Sequence, residues 1–111
     1  MGRSAWRTDQ RASKDGVLPL LSNTTVIEQP VDLNKLSVRY ADFAVEFIKR
    51  ESEAGTPWLL YFAFNHVHVP NFATMQYCNS TKRGLFGDAL AELDNAVGAT
   101  MQAVVNAGQS V

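Results

Sequence analysis

Long hydrophobic runs are absent from this sequence of 111 residues. The longest apolar stretch, Trp58 to Phe64, falls far short of the roughly 20 residues an α-helix needs to cross a bilayer, so no membrane span is expected. A surplus of one charge is also lacking. Ten Lys and Arg face 11 Asp and Glu, and the net charge of -1 offers no bulk attraction for nucleic acid. Cysteine is nearly absent as well. Cys78 is the single one and cannot close an intrachain disulfide. Either it packs as a small apolar residue or, in a secreted protein, it finds a redox partner on another part of the molecule. With only 7 Gly and 4 Pro and no repeats, collagenous and low-complexity architectures are excluded.

What is present describes an ordinary globular chain. Hydrophobic residues make up 46% of it and charged residues 19%, enough apolar surface to form a core. At this length one domain is the ceiling, burying roughly two thirds of its unfolded surface. Residues 1–14 carry Arg3, Arg7, Arg11 and Lys14 without an apolar stretch among them, so a secretory signal peptide is not expected there. Asp9 and the missing apolar stripe also argue against a transit peptide. That segment reads as an irregular basic lead-in, and residues 15–111 as the folded part.

Along the folded part the hydrophobic periodicity changes twice. Residues 16–27 read as irregular, with a short strand around Thr24 to Ile27. Pro30 ends any regular element, and Asp32 is placed to cap a helix. Leu36, Tyr40, Phe43, Ala44, Phe47 and Ile48 then recur at helical spacing, and the helix should end near Glu53 to Gly55. Trp58 to Phe64 is continuously apolar instead of alternating, which predicts a parallel strand buried on both faces. A long polar loop follows from Asn65 to Thr81. After Gly84 the spacing of Phe86, Ala89, Leu90, Leu93, Val97, Met101 and Val104 predicts a second helix to about Ala107, with Gly108 as its cap and Asp88, Glu92 and Asp94 outside the apolar stripe. This order is a piece of an open α/β sheet. A central strand needs neighbours on both edges, and the sequence offers one confident strand.

Candidate chemistry falls just past the carboxyl end of that strand, where open α/β sheets place their ligands. In an extended stretch His66 and His68 would point to the same side, toward a cleft. The bland reading is that both are hydrogen-bonded packing residues. A zinc site is weaker still, because His-x-His supplies two ligands where a catalytic zinc takes about three and a structural one about four.

Two motifs carry a family resemblance. Pro57-Trp-Leu-Leu-Tyr-Phe-Ala-Phe-Asn-His-Val-His-Val-Pro70, followed by Arg83-Gly-Leu-Phe-Gly-Asp-Ala-Leu-Ala-Glu-Leu-Asp-Asn-Ala-Val-Gly98, resembles the arylsulfatase A-like branch of the sulfatases. Leu18-Pro-Leu-Leu-Ser-Asn-Thr-Thr25 is similar to the glycosylated segment before the family's first helix. The resemblance implies a partial alkaline-phosphatase-like α/β sandwich and makes residues 15–111 part of a sulfatase catalytic domain. It implies hydrolysis of sulfate esters by the full-length protein, through a formylglycine nucleophile and calcium. His68 matches the family histidine that contacts the sulfate ester and protonates or hydrogen-bonds the leaving oxygen. An imidazole, with an ordinary pKa near ~6.5, suits that role at acid pH. His66 is the weaker substrate-binding candidate, at a position that varies in the family. Asp88, Glu92 and Asp94 are structural on the family's helix, so none is taken as acid or base.

The departures from the family pattern are as informative. The Cys-x-Pro-Ser-Arg motif that yields formylglycine is missing, and Cys78 in Tyr-Cys-Asn-Ser is not its equivalent. The Asp-Asp and Asp-Asn-Gly metal ligands are missing too, so no metal or cofactor is expected on this stretch. Without nucleophile and cation the isolated chain is expected to be inactive and to depend on the remainder of the sulfatase domain. Two other readings stand beside this one: a catalytically inactive remnant, and a small α/β interaction domain. Sequons at Asn23 and Asn79 mark candidate glycosylation sites, and the resemblance implies a lysosomal or secreted parent.

Overall fold

The structure, a computed structural model, describes residues 18–69 and 71–109, so the basic lead-in over 1–14 lies outside the described residues. Its elements run β1 (Leu20–Ser22), β2 (Thr25–Glu28), α1 (Leu33–Glu53) and α2 (Gly84–Asn106). The result is a small α/β piece.

The strands form an antiparallel hairpin in which Leu21 pairs with Val26 and Ser22 with Thr25. A two-residue turn joins them, and Asn23 takes a left-handed φ of 53°, a conformation asparagine tolerates better than other side chains with a Cβ. The strand expected near Thr24 to Ile27 is therefore β2, and the segment before it supplies its partner. An ion pair from Arg39 to Glu28 ties the hairpin to α1.

Helix α1 begins where Asp32 was expected to cap it. Asp32 has extended backbone, and its carboxylate accepts from the Asn34 amide at 3.1 Å, satisfying one of the free donors of the first turn. Leu36, Ala44 and Ile48 are buried as the periodicity predicts, but Phe43 is exposed and Ser37 is buried in its place.

The buried parallel strand expected over Trp58 to Phe64 does not form. The segment is extended but joins no ladder, and the sheet among the described residues is the β1–β2 hairpin. Its side chains alternate. Trp58, Phe62 and Phe64 turn inward, with Trp58 edge-on to Phe47 and Phe62 edge-on to Tyr40 of α1. Leu59 and Tyr61 point outward at 90% and 88% exposure. A ladder requires a neighbouring strand, and none lies beside this segment among the described residues.

Helix α2 packs against α1 with a face that matches its apolar spacing only in part, Ala89 being buried as expected. Phe86, Leu90, Val97 and Met101 are exposed, while Gly87, Asp88, Ala89, Glu92 and Ala96 are buried. Asp88 and Glu92 thus lie inside the packed face, whereas Asp94 stays outside it. Small side chains let two helices approach closely, and the two acids meet backbone donors of the loop that would otherwise be orphaned. The resulting core is thin. Leu36 and Ile48 are its only large apolar side chains, the rest being Ala41, Ala44, Ala73, Ala89 and Ala96.

Candidate active-site loop

Among the described residues between α1 and α2 there is no regular structure beyond turns, so the shape of this segment depends on what its polar groups meet. Two acids on α2, one helical turn apart, organise it. Asp88 accepts from the amides of Asn79 at 2.8 Å and Thr81 at 2.9 Å, and from the hydroxyls of Thr81 at 3.0 Å and Ser80 at 3.3 Å. Burial works to raise the Asp88 carboxyl, but those four donors outweigh it and hold the group below its ordinary value. Glu92 accepts from the Thr74 amide at 2.7 Å. Here too burial pushes the carboxyl up, while His66, the Thr74 amide and Ser37 overcome it and leave the group ionised.

The two histidines separate. A turn in which the His68 amide donates to the Asn65 carbonyl at 3.3 Å breaks the extended geometry, so the expectation that both point to one side fails. His66 is buried between the helices. The Ser37 hydroxyl of α1 lies 3.0 Å from its Nε2 and 3.2 Å from its Nδ1, and Glu92 of α2 lies 3.7 Å from Nε2. The Phe72 ring packs against it with centroids 4.6 Å apart. His68 stays exposed. Its Nδ1 is 2.7 Å from the Val69 carbonyl. A carbonyl oxygen only accepts, so Nδ1 is the donor in this contact.

Asn23 is exposed at the tip of the hairpin turn, and Asn79 is exposed in a loop turn with a φ of 58°. Thr81, the third residue of the second sequon, has its hydroxyl engaged by Asp88. Among the described residues no group of three or more His, Cys, Asp or Glu could hold a metal ion. No described helix is long and apolar enough to cross a membrane. Sequence reasoning missed Ser37, and it left Glu92 outside the apolar stripe with only a structural role implied by the resemblance. The available signal was the spacing of two acids one turn apart, both following Gly87 and preceded by a loop rich in backbone donors.

Comparison with known proteins gives these observations a family. No family model matches the chain. Individual relatives do. It is 42% identical over 94 residues to arylsulfatase G of Rattus norvegicus, which takes in 84% of this chain and 18% of that protein. Arylsulfatase A of Bos taurus is 43% identical over 91 residues, 82% of this chain and 18% of the relative. Steryl-sulfatase of Rattus norvegicus is 38% identical over 79 residues, 71% of this chain and 13% of the relative. The chain therefore spans less than a fifth of the length of the relatives it matches. With relatives 38–43% identical over 71–84% of its length, the chain belongs to the sulfatase family.

Proposed function

We propose that this stretch supplies the leaving-group acid of a sulfatase catalytic domain, with His68 in that role. The observation that carries the reading is the placement of His68. It sits just past an extended apolar segment, exposed, with Nδ1 engaged by the Val69 carbonyl. In the hydrolysis of a sulfate ester an oxygen nucleophile from outside this stretch bonds to sulfur as the S–O bond to the leaving group breaks and its electron pair passes to the ester oxygen. That oxygen takes the proton from Nε2 of His68 and departs as an alcohol or phenol. The exposed residues Asn65 and Val69 leave the approach to His68 open.

The rest of the catalytic equipment does not fit here. Asp88 and Glu92 are occupied by loop amides, and Cys78 is not in a formylglycine motif. Formylglycine and calcium therefore belong to other parts of the parent sulfatase, and the isolated chain is inactive. In the parent, residues 15–111 form part of an alkaline-phosphatase-like sandwich in which Trp58 to Phe64 is a central strand. The outward Leu59 and Tyr61 and the unpaired backbone between them support that placement. Exposed Asn23 carries a glycan in a lysosomal or secreted parent, and Asn79 is a second acceptor.

The test is His68→Ala in the full-length sulfatase, assayed on 4-nitrophenyl sulfate and 4-methoxyphenyl sulfate. General-acid help is worth about 10²- to 10⁴-fold and is needed most by the poorer leaving group. The variant should lose far more activity on the methoxyphenyl ester. Equal losses on both esters would remove His68 from the acid role.

A further inference from the structure

Both sides of the loop that carries His68 come up to one oxygen atom. Before His68, the Nε2 of His66 lies 3.7 Å from Glu92 Oε2. After it, the Thr74 amide donates to the same Oε2 at 2.7 Å. Ser37 adds a second hold on His66 from α1, and the Phe72 ring packs on the imidazole. The fastening points are interior: Ser37, His66 and Glu92 are 3%, 8% and 3% exposed, and Ala73 is fully buried. His68, between them, is not.

A carboxylate is an unfavourable choice for mere filling at such a position. Burial of a charge costs free energy unless every lone pair is matched, and Glu92 Oε1 has no hydrogen-bond partner among the described residues. An apolar side chain would fill the space without that penalty. What it could not do is accept from Thr74 and face His66 with one atom, and so set the distance between the two ends of the His68 turn.

We propose that Glu92 is a positioning residue for His68, acting through His66 and the Thr74 amide with Ser37 as the opposing hold; this rests on His68 being the leaving-group acid. Glu92 and Ser37 touch no substrate. They fix where the Nε2 of His68 stands relative to the ester oxygen, and a displacement of about 1 Å at an acid is enough to cost roughly 10²-fold in rate.

The experiment compares Glu92→Ala, Glu92→Gln, Ser37→Ala and His68→Ala in the full-length sulfatase on the same two aryl sulfates, with kcat referred to the folded fraction. The expected pattern for Glu92→Ala is a kcat loss of about 10- to 100-fold on the methoxyphenyl ester, a much smaller loss on the nitrophenyl ester and little change in KM. Glu92→Gln still offers an oxygen to Thr74 and should recover part of the loss, while Ser37→Ala should show the same selectivity at smaller amplitude. A residue that only stabilises the fold lowers both esters by one factor. That outcome for Glu92→Ala, beside a selective His68→Ala, overturns the proposal. Should Glu92→Ala yield no folded protein, equal losses on both esters in Ser37→Ala and Glu92→Gln overturn it instead. If His68→Ala itself shows no selectivity, the acid assignment falls, and the positioning role falls with it.

Discussion

The same substitution at two glycines of α2 should change stability in opposite directions. Gly98 lies in the helix interior, and a Cβ built there meets nothing within 4 Å. Alanine is favoured over glycine inside a helix by about 0.8–1 kcal/mol, so Gly98→Ala should stabilise the chain by roughly that amount. Gly87, three turns earlier on the same helix, is buried against the loop. A Cβ there would lie 2.2 Å from the Thr81 hydroxyl, 2.7 Å from Arg83 Cβ and 3.1 Å from Thr81 Cβ. The hydroxyl could turn away only by giving up its bond to Asp88, and Arg83 Cβ sits too close to the backbone to move cheaply. Overpacking of this kind costs about 1–3 kcal/mol, which offsets or exceeds the helix-propensity gain and leaves Gly87→Ala destabilising by up to about 2 kcal/mol. Urea unfolding followed by far-UV circular dichroism reads both signs directly. In thermal unfolding each kcal/mol should move the midpoint by about 4–8 °C for a domain near this size. A Gly87→Ala chain as stable as Gly98→Ala would mean that the loop does not press on α2 as described, and the account of Asp88 as the loop's organiser would fail with it.

Two further outcomes follow from burial and charge. The Glu92 and Asp88 carboxyls are held below their ordinary values of 4.5 and 3.8, so each contributes stability that is fully present above those values and lost as pH falls through the lower folded ones. The unfolding midpoint should thus stay level down to about pH 5 and fall below pH 4.5; a midpoint that rises on acidification below 4.5 would contradict the hydrogen-bonding scheme. Leu59, at 90% exposure, should tolerate Leu59→Ser in this chain within about 0.5 kcal/mol, yet the same change should cost roughly 2–5 kcal/mol in the full-length sulfatase if the proposed central strand buries it there. A small cost in both settings would rule out the central-strand placement.

Local signals located the helices well. Asp32 caps α1 because a short acceptor before an amphipathic run satisfies a first-turn amide, and Gly108, with a φ of 71°, follows the end of α2 as a left-handed residue should. The Trp58 to Phe64 run was legible as extended and apolar, but burial on both faces depends on neighbours that composition cannot supply. The buried face of α2 was misjudged for a related reason. Periodicity weighs Phe86, Leu90 and Val97 as core and Asp88 and Glu92 as surface, although a carboxylate can be interior wherever loop amides need an acceptor.

By itself, then, the sequence determined the helices, their caps, the extended apolar segment and the family, because each of these depends on side chains close together in the chain. Only the tertiary structure decided that His66 turns in while His68 turns out, and that Ser37, His66, Thr74 and Glu92 meet. Each of these contacts joins residues 18 to 29 positions apart in the chain. Their meeting is set by the packing of α1 on α2 and by the need of buried polar groups for partners, neither of which is encoded in any one segment.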